Sequence, residues 1–335
     1  MMMGKIPRWL LIVGIVTAPS ACDNVSWGGM RVSLEGPPGD PVGDSIQAGT
    51  STPEPHGSRM GPLLYAGRKN GDSALVVPVG ELVDGRLTPL PSGDPEERWA
   101  RQIATERFRS GRRLLLFQAG IRIGTFTVSS ATGLNRSYCP PRPEATGIIQ
   151  VVPSASEVTR FLAVDESAST NQPFRFLHEL APDPNQGNAA QNLAGEALNE
   201  LRAEWPPALL NIRRDLQVFR ASEGQDLSLA ATFGYGDQLQ VGPSGADAYG
   251  LFILGEPFGS GYRRAFTWYR RTGEEGKGIP GLFAWMDWNS DGRNELLLQA
   301  FGSRNRWFAA LARGEERWTV TFQDPCGAHQ APADP

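Results

Sequence analysis

Histidine is nearly missing from this 335-residue chain: His56, His178 and His329 are the only three. No His-Glu-x-x-His pair exists to hold zinc on a helix face, and no Gly-x-Ser-x-Gly turn presents a nucleophilic serine. No glycine-rich loop with phosphate-binding spacing leads into a helix. His178 and Glu179 are adjacent, yet neighbouring residues of a strand face opposite sides of a sheet, so they do not read as a base and its partner. A basic excess is also missing. The chain has 32 Lys and Arg against 36 Asp and Glu, a formal charge of −4. That excludes the broad positive footprint of a general nucleic-acid binder. Lysine itself occurs only at positions 5, 69 and 277, and arginine carries the rest. The N-terminal apolar run from Trp9 to Val16 is far shorter than the roughly 20 residues a membrane span needs.

What the chain does have begins at that run. Lys5 and Arg8 form a short basic region, Trp9 to Val16 an apolar one, and small and turn-forming residues lead to Pro19-Ser20-Ala21-Cys22. This is the layout of a secretory signal peptide. Its end resembles a bacterial lipoprotein signal, with two small residues before a cysteine. The resemblance implies that residues 1–21 are removed and that Cys22 carries a lipid and becomes the mature N-terminus. The body would then face the periplasm or exterior of a cell envelope, with the membrane as partner through the lipid. Pro19, where that family usually has an aliphatic residue, keeps a second reading open. In it, ordinary cleavage after Ser20 or Ala21 releases a soluble periplasmic or secreted protein. Removal of residues 1–21 takes away two bases and no acid, shifting the formal charge to −6.

Cysteine parity agrees with export. With Cys22 lipidated, Cys139 and Cys326 remain, 187 positions apart, and an oxidising compartment would join them. A bridge closing so long a loop contributes about 4–5 kcal/mol through chain entropy.

Residues 22–60 read as a flexible tether, from Glu35-Gly36-Pro37-Pro38-Gly39 through a stretch rich in Gly, Ser, Thr and Pro. Folded sequence begins near Leu63. Leu75 to Val79 is a strand with an edge-like proline, and Val83-Asp84-Gly85-Arg86-Leu87 is a tight hairpin. Asp94, Pro95 and Glu97 start a helix whose face is Trp99, Ile103, Ala104 and Phe108. Leu114–Phe117 and Ile121–Val128 are strands parted by Ala119-Gly120, and 145–152 and 174–180 are further strands. Residues 188–205 form a helix with Leu193, Ala197, Leu201 and Trp205 at four-residue spacing, halted by Pro206-Pro207. Eight short strands follow, at 212–220, 227–233, 249–254, 264–269, 282–286, 295–301, 307–311 and 317–322.

The expected fold is mainly β with two or more short helices, α+β in class, built of antiparallel sheets. Its C-terminal part is propeller-blade-like, although no repeat supplies a full propeller. The expected division is an α+β domain over 61–135, a β-rich domain with one helix over 136–329 and a polar tail over 330–335.

One motif carries chemistry: Asp287-Trp288-Asn289-Ser290-Asp291-Gly292-Arg293-Asn294-Glu295-Leu296. Side-chain oxygens fall at positions 1, 3, 5 and 9, and Gly292 at position 6 permits a sharp turn. The carbonyl of Arg293 can join Asp287, Asn289, Asp291 and Glu295 around a hard cation, calcium rather than zinc. Leu298 stands where an EF-hand needs its bidentate Glu. With strands on both sides, the loop resembles the calcium loops of FG-GAP repeats from integrin-type β-propellers. The residues that carry the likeness are Asp287, Asn289, Asp291, Gly292, Glu295 and Leu296, and it implies a structural calcium within a blade. The same sequence is also an ordinary turn satisfied by its own backbone. Trp288, inside the loop, is the expected exposed aromatic for a binding face. Trp268, Trp285, Trp307 and Trp318 fill a core.

The sequence therefore points to a non-catalytic, envelope-anchored binding or structural protein with an envelope protein or glycan as partner. The alternative is a secreted hydrolase of glycans or peptides, which would need two carboxylates in one cleft. The targeting reading has a direct check. Mass spectrometry of the mature N-terminus should find a lipid-modified Cys22. An unmodified Cys22, or a chain starting elsewhere, would refute it.

Overall fold

Short segments with apolar side chains on alternate or on both faces make up most of this chain, and strands follow from that pattern. The computed structural model describes residues 60–90, 96–166, 177 and 180–327. These residues are mainly β, with four helices and with every strand ladder antiparallel. They are α+β in class, and the sheets include a closed six-stranded barrel rather than the blades of a propeller.

The barrel is formed by β1 (Leu63–Asn70), β2 (Ser73–Val83), β4 (Arg113–Gln118), β5 (Ile121–Asn135), β6 (Arg142–Val151) and β7 (Arg160–Asp165). The ring runs β1-β7-β4-β5-β6-β2 and closes where β2 pairs with β1. A short β3 (Arg86–Pro89) pairs with β2 outside the ring. The β2–β3 turn has Asp84 at φ 49° and Gly85 at φ 75°, the two positive values that a tight hairpin requires. Alternate residues fill the interior: Leu63, Tyr65, Val76, Leu114, Leu116, Ile123, Phe126, Phe161 and Ala163. Helix α1 (Glu96–Glu106) lays Trp99, Ala100 and Ile103 onto that core.

The intervening residues of the same strands face outward, yet they are equally apolar. Leu64, Ala66, Val77, Leu115, Phe117, Leu162 and Val164 pack against Phe283, Met286, Leu297, Phe308 and Phe322. Those partners belong to a four-stranded meander of β12 (Ile279–Met286), β13 (Glu295–Phe301), β14 (Arg306–Arg313) and β15 (Trp318–Gln323). The opposite face of this meander, with Leu282, Trp285, Leu296, Leu298 and Trp318, meets Phe219, Phe252, Leu254 and Trp268. The latter belong to a second meander, β8 (Arg213–Arg220), β9 (Leu227–Tyr235), β10 (Tyr249–Phe258) and β11 (Gly261–Arg271).

Helix α2 (Pro184–Glu200) covers the last face with Ala190, Leu193, Ala194, Ala197 and Leu198. Asp183 and Gln186 close a reciprocal capping box at its start, each hydrogen bond 2.8 Å. The helix therefore begins ahead of residue 188, and it ends at Glu200, leaving Leu201 and Trp205 largely exposed. Two one-turn helices complete the described set, α3 (Leu209–Ile212) and α4 (Thr272–Glu275). The layers are thus helix, sheet, sheet and barrel. The C-terminal strands form two four-stranded sheets, but these stack face to face instead of radiating like the propeller blades the sequence led us to expect.

A covalent and ionic clasp joins the barrel to the adjacent sheet. Cys139 and Cys326 are disulfide-bonded, with Cα atoms 5.8 Å apart. Beside them Arg142, wholly buried, donates from Nη2 to both carboxylate oxygens of Asp324 at 2.6 Å. Its Nη1 donates to the carbonyls of Pro78 and Val79. Asp324 Oδ2 in turn accepts the Phe308 N–H at 2.7 Å. Pro78 therefore does not mark a sheet edge. It lies in a strand with neighbours on both sides, past the end of the β6 ladder at Val76, where its missing N–H is no loss and its carbonyl serves Arg142.

Strand β7 is an addition to the elements read from sequence. The strand expected over 174–180 lies outside the described residues apart from Leu177 and Leu180, as do Cys22, His178 and Glu179. Loss of one member of a buried ion pair leaves the other uncompensated, at a cost of about 3–5 kcal/mol. Asp324→Ala should therefore lower unfolding free energy by that amount in urea titrations with the disulfide intact. A change below 1 kcal/mol (roughly the worth of a surface pair) would show that the clasp does not hold the layers.

Candidate metal centre

The Asp-rich motif is the turn between β12 and β13, and its carboxylates converge. Ligand oxygens of Asp287, Asp291 and Glu295 all lie within 4.8 Å of one another. The turn is drawn tight by Ser290 at φ 63° and Gly292 at φ 85°. Asp287 accepts the N–H groups of Asp291 (3.1 Å) and Gly292 (2.8 Å). Asn289 Oδ1 accepts the Asp291 N–H at 2.9 Å, and Asp291 Oδ1 accepts the Arg293 N–H at 2.8 Å. Glu295, at the head of β13 and only 3% exposed, accepts from the Trp288 N–H at 3.0 Å and from Asn289 Nδ2 at 2.6 Å.

Burial pushes the Glu295 carboxyl up to about 8, and the charges of Asp287 and Asp291 push in the same direction, against the pull of the Trp288 N–H. A cluster of this kind has more negative charge than its own donors neutralise. An all-oxygen donor set that raises its own proton affinity suits a hard cation. Of the predicted donors, the three carboxylates meet. Asn289 sits between them, and Arg293 turns its side chain away, donating from Nη1 to the carbonyl of Gly314 at 3.0 Å.

The same turn is a meeting point for other turns. A Cβ added to Gly85, in the β2–β3 hairpin, would lie 2.9 Å from Asn289 Cβ. A Cβ added to Gly120, in the β4–β5 turn, would lie 2.9 Å from Asn294 Oδ1, and Gly120 donates its N–H to the Trp285 carbonyl of β12 at 2.9 Å. Asn294 donates its N–H to the carbonyl of Ala221, just past β8, and its Nδ2 to that of Arg220, the last residue of β8. The barrel and both sheets thus touch this one loop.

Trp288 is not the exposed aromatic that its place in a polar turn suggested. It is 9% exposed and belongs to the apolar cluster between barrel and sheet, with Leu87 and Met286. The loop packs down onto the β2–β3 hairpin, so its one apolar side chain has somewhere to go. Trp268, Trp285, Trp307 and Trp318 are buried as expected.

Sequence reading did not find the ion pairs at buried acids, among them Arg142–Asp324, Lys277–Asp237 at 2.7 Å, Arg313–Glu256 at 2.6 Å and the pairs of Arg107 and Arg112 with Asp165. Only the first left a signal, because Arg142 and Asp324 flank the two bridged cysteines. One cavity of about 530 Å³ brings Asp183 and Asp215 to a common lining with Arg213 and Arg214. Asp183 is committed there as the cap of α2. Comparison with protein-family models, with curated proteins and with solved structures finds no match for the chain.

The raised Glu295 carboxyl sets a pH dependence. The folded, metal-free state holds this proton more tightly than the unfolded chain does. Its stabilising effect is therefore full below about pH 4.5 and is lost as pH rises through about 8. Thermal melts in chelator should fall from pH 5 to pH 8, and Glu295→Gln should flatten that slope. An unchanged slope in the variant would contradict the assignment.

Proposed function

We propose that this chain is a non-catalytic envelope protein, held to a membrane through lipid on Cys22, whose layered β body binds or braces an envelope protein or glycan. Its Asp-rich loop takes one structural calcium ion. The observation that carries the metal reading is the convergence of the Asp287, Asp291 and Glu295 oxygens within 4.8 Å. Five oxygen donors, with Asn289 and the Arg293 carbonyl completing the set, favour calcium over the nitrogen- and sulfur-seeking metals. Placement supports a structural role for the ion. A cation here would brace the loop on which the β2–β3, β4–β5 and β8–β9 turns rest, and it would neutralise the acids that raise Glu295. The targeting sequence ending at Cys22 supports the envelope assignment, with the 22–60 tether as spacer between membrane and body. Release as a soluble periplasmic or secreted protein is the competing outcome of the N-terminal analysis.

Calorimetric titration of metal-stripped, folded protein should register one calcium ion, and calcium should raise the melting temperature by mass action. Asp287→Ala and Asp291→Ala should abolish most of that rise. Asn294→Ala, which removes a hydrogen bond to Arg220 but no ligand, should leave it intact. No uptake at about millimolar calcium, the weak end for extracellular sites, would leave a plain turn and remove the ion from this reading.

A further inference from the structure

A second cavity, of about 470 Å³, opens at the junction of the barrel with both sheets. It is lined by Arg68, Lys69 and Arg160 from the barrel side, by Gly281, Gln299 and Phe301 from the central sheet, and by Asp215 and Leu239. Three features of this lining bear on what it would bind, although its cations also have protein partners, Arg160 donating to the Leu282 carbonyl at 3.4 Å and Lys69 to that of Ser156.

First, Arg68 and Arg160 are direct cross-strand partners in the β1–β7 ladder. Like charges set opposite one another destabilise a sheet. Both guanidinium groups also lie over the same Phe283 ring, at 5.9 and 5.8 Å from its centre. Desolvation lowers the Arg68 pKa, and the charges of Arg306 and Arg160 lower it further, while Tyr138 opposes them.

Second, the lining has three cations and one carboxylate, and that carboxylate, Asp215, is already accepting from Gln217 Nε2 at 2.6 Å.

Third, Gln299 is 2% exposed. Its Oε1 accepts from Arg68 Nη2 at 2.7 Å, which fixes the amide so that Nε2 is the free end. That Nε2 is buried with no hydrogen-bond partner among the described residues. A buried donor without an acceptor costs free energy, and native structures rarely keep one.

Two planar guanidinium forks on one cavity make an acceptor-seeking surface, and the Gln299 amide beneath Arg68 positions one of them. The volume exceeds what a bare inorganic ion fills and falls in the range of small-molecule sites. Leu239 and Phe301 add apolar wall. We propose that this cavity is an oxyanion-binding site for a small molecule bearing a phosphate or carboxylate group, with the charged group on Arg68 and Arg160 and the organic body against Leu239 and Phe301. The site is separate from the Asp-rich loop and does not depend on metal there.

Titration of the folded chain with phenyl phosphate, benzoate and phenol tests it. One of the two anions should bind saturably, and whichever binds identifies the oxyanion. Phenol should not bind. Added salt should weaken binding, since the attraction is ionic. Arg68→Gln and Arg160→Gln should each weaken it about tenfold or more, the scale of a lost charge-assisted contact. Arg160→Gln should not lower the melting temperature of the ligand-free protein, because it relieves a like-charge pair, whereas Arg68→Gln also removes the hydrogen bond to Gln299; the Arg160 readout separates binding from a structural role. Arg86→Gln is the control. Arg86 pairs with Val83 at the end of β2 remote from Leu75, the partner of Arg68. Several outcomes would overturn the proposal. They are no saturable binding of either anion, phenol binding equally well, arginine variants that keep wild-type affinity, an Arg160→Gln chain that melts lower without ligand, or an equal loss in Arg86→Gln.

Discussion

The buried Arg142 guanidinium is the constraint on which the arrangement of layers depends. A cation removed from water is tolerated only if its charge is matched and its donors are used. Here the charge is matched by Asp324, just past β15, and Nη1 donates to carbonyls of β2, which leaves only the Nε–H without a partner among the described residues. The ring of Phe308 on β14 lies beneath the guanidinium, 5.2 Å away. Each partner comes from a different strand. Satisfying this one side chain therefore requires that β2, β6, β14 and the end of β15 be in register together. The disulfide nearby holds the same two segments, but it does not specify which face meets which. The ion pair does.

The central sheet has no solvent face. Leu296 and Leu298 point one way and Leu297 the other, and all three are fully buried. Polar clasps occur where this sheet meets its neighbours. Glu256 on β10 accepts from Trp318 Nε1 at 2.9 Å and pairs with Arg313, both from the central meander. Thr232 on β9 donates to the Pro280 carbonyl at 2.9 Å. Apolar contact alone permits sliding between two flat faces. These directional contacts select one alignment.

What could be read from the chain follows from this burial. Turns were legible, because Asp84-Gly85 and Asn289-Ser290-Asp291-Gly292 carry backbone requirements that few residues meet. The clustering of Asp287, Asp291 and Glu295 was legible for the same reason, as a spacing of oxygens in one short loop. Strand β7 was not, since Phe161-Leu162-Ala163-Val164 faces the barrel interior on one side and the sheet on the other. Alternation, the signal of a strand, vanishes when both faces are buried. Barrel closure went unseen with it. The stacking of the two meanders was equally hidden, because a blade and a layer have the same strand order and differ only in what covers each face. Trp288 misled for a local reason: its neighbours are polar, and only the approach of the β2–β3 hairpin gives it a buried site. Arg68, Arg160 and Gln299 come from distant parts of the chain, so no spacing could announce the cavity they line.

Ring closure also governs the time course of folding. Leu64 is paired with Val164, and between them lie five other strands and a helix. Hairpins such as β2–β3 and β4–β5 can form within microseconds, since their ends start close together. The β1–β7 ladder must instead wait for a search over the whole intervening chain, and it gains nothing until that search succeeds. Until then the outward faces of β1 and β7 are uncovered apolar edges, and the central sheet has nothing to dock on. Barrel closure therefore waits on the joining of its first strand to its seventh, and in the interval before it the chain is exposed to pairing with a second copy of itself.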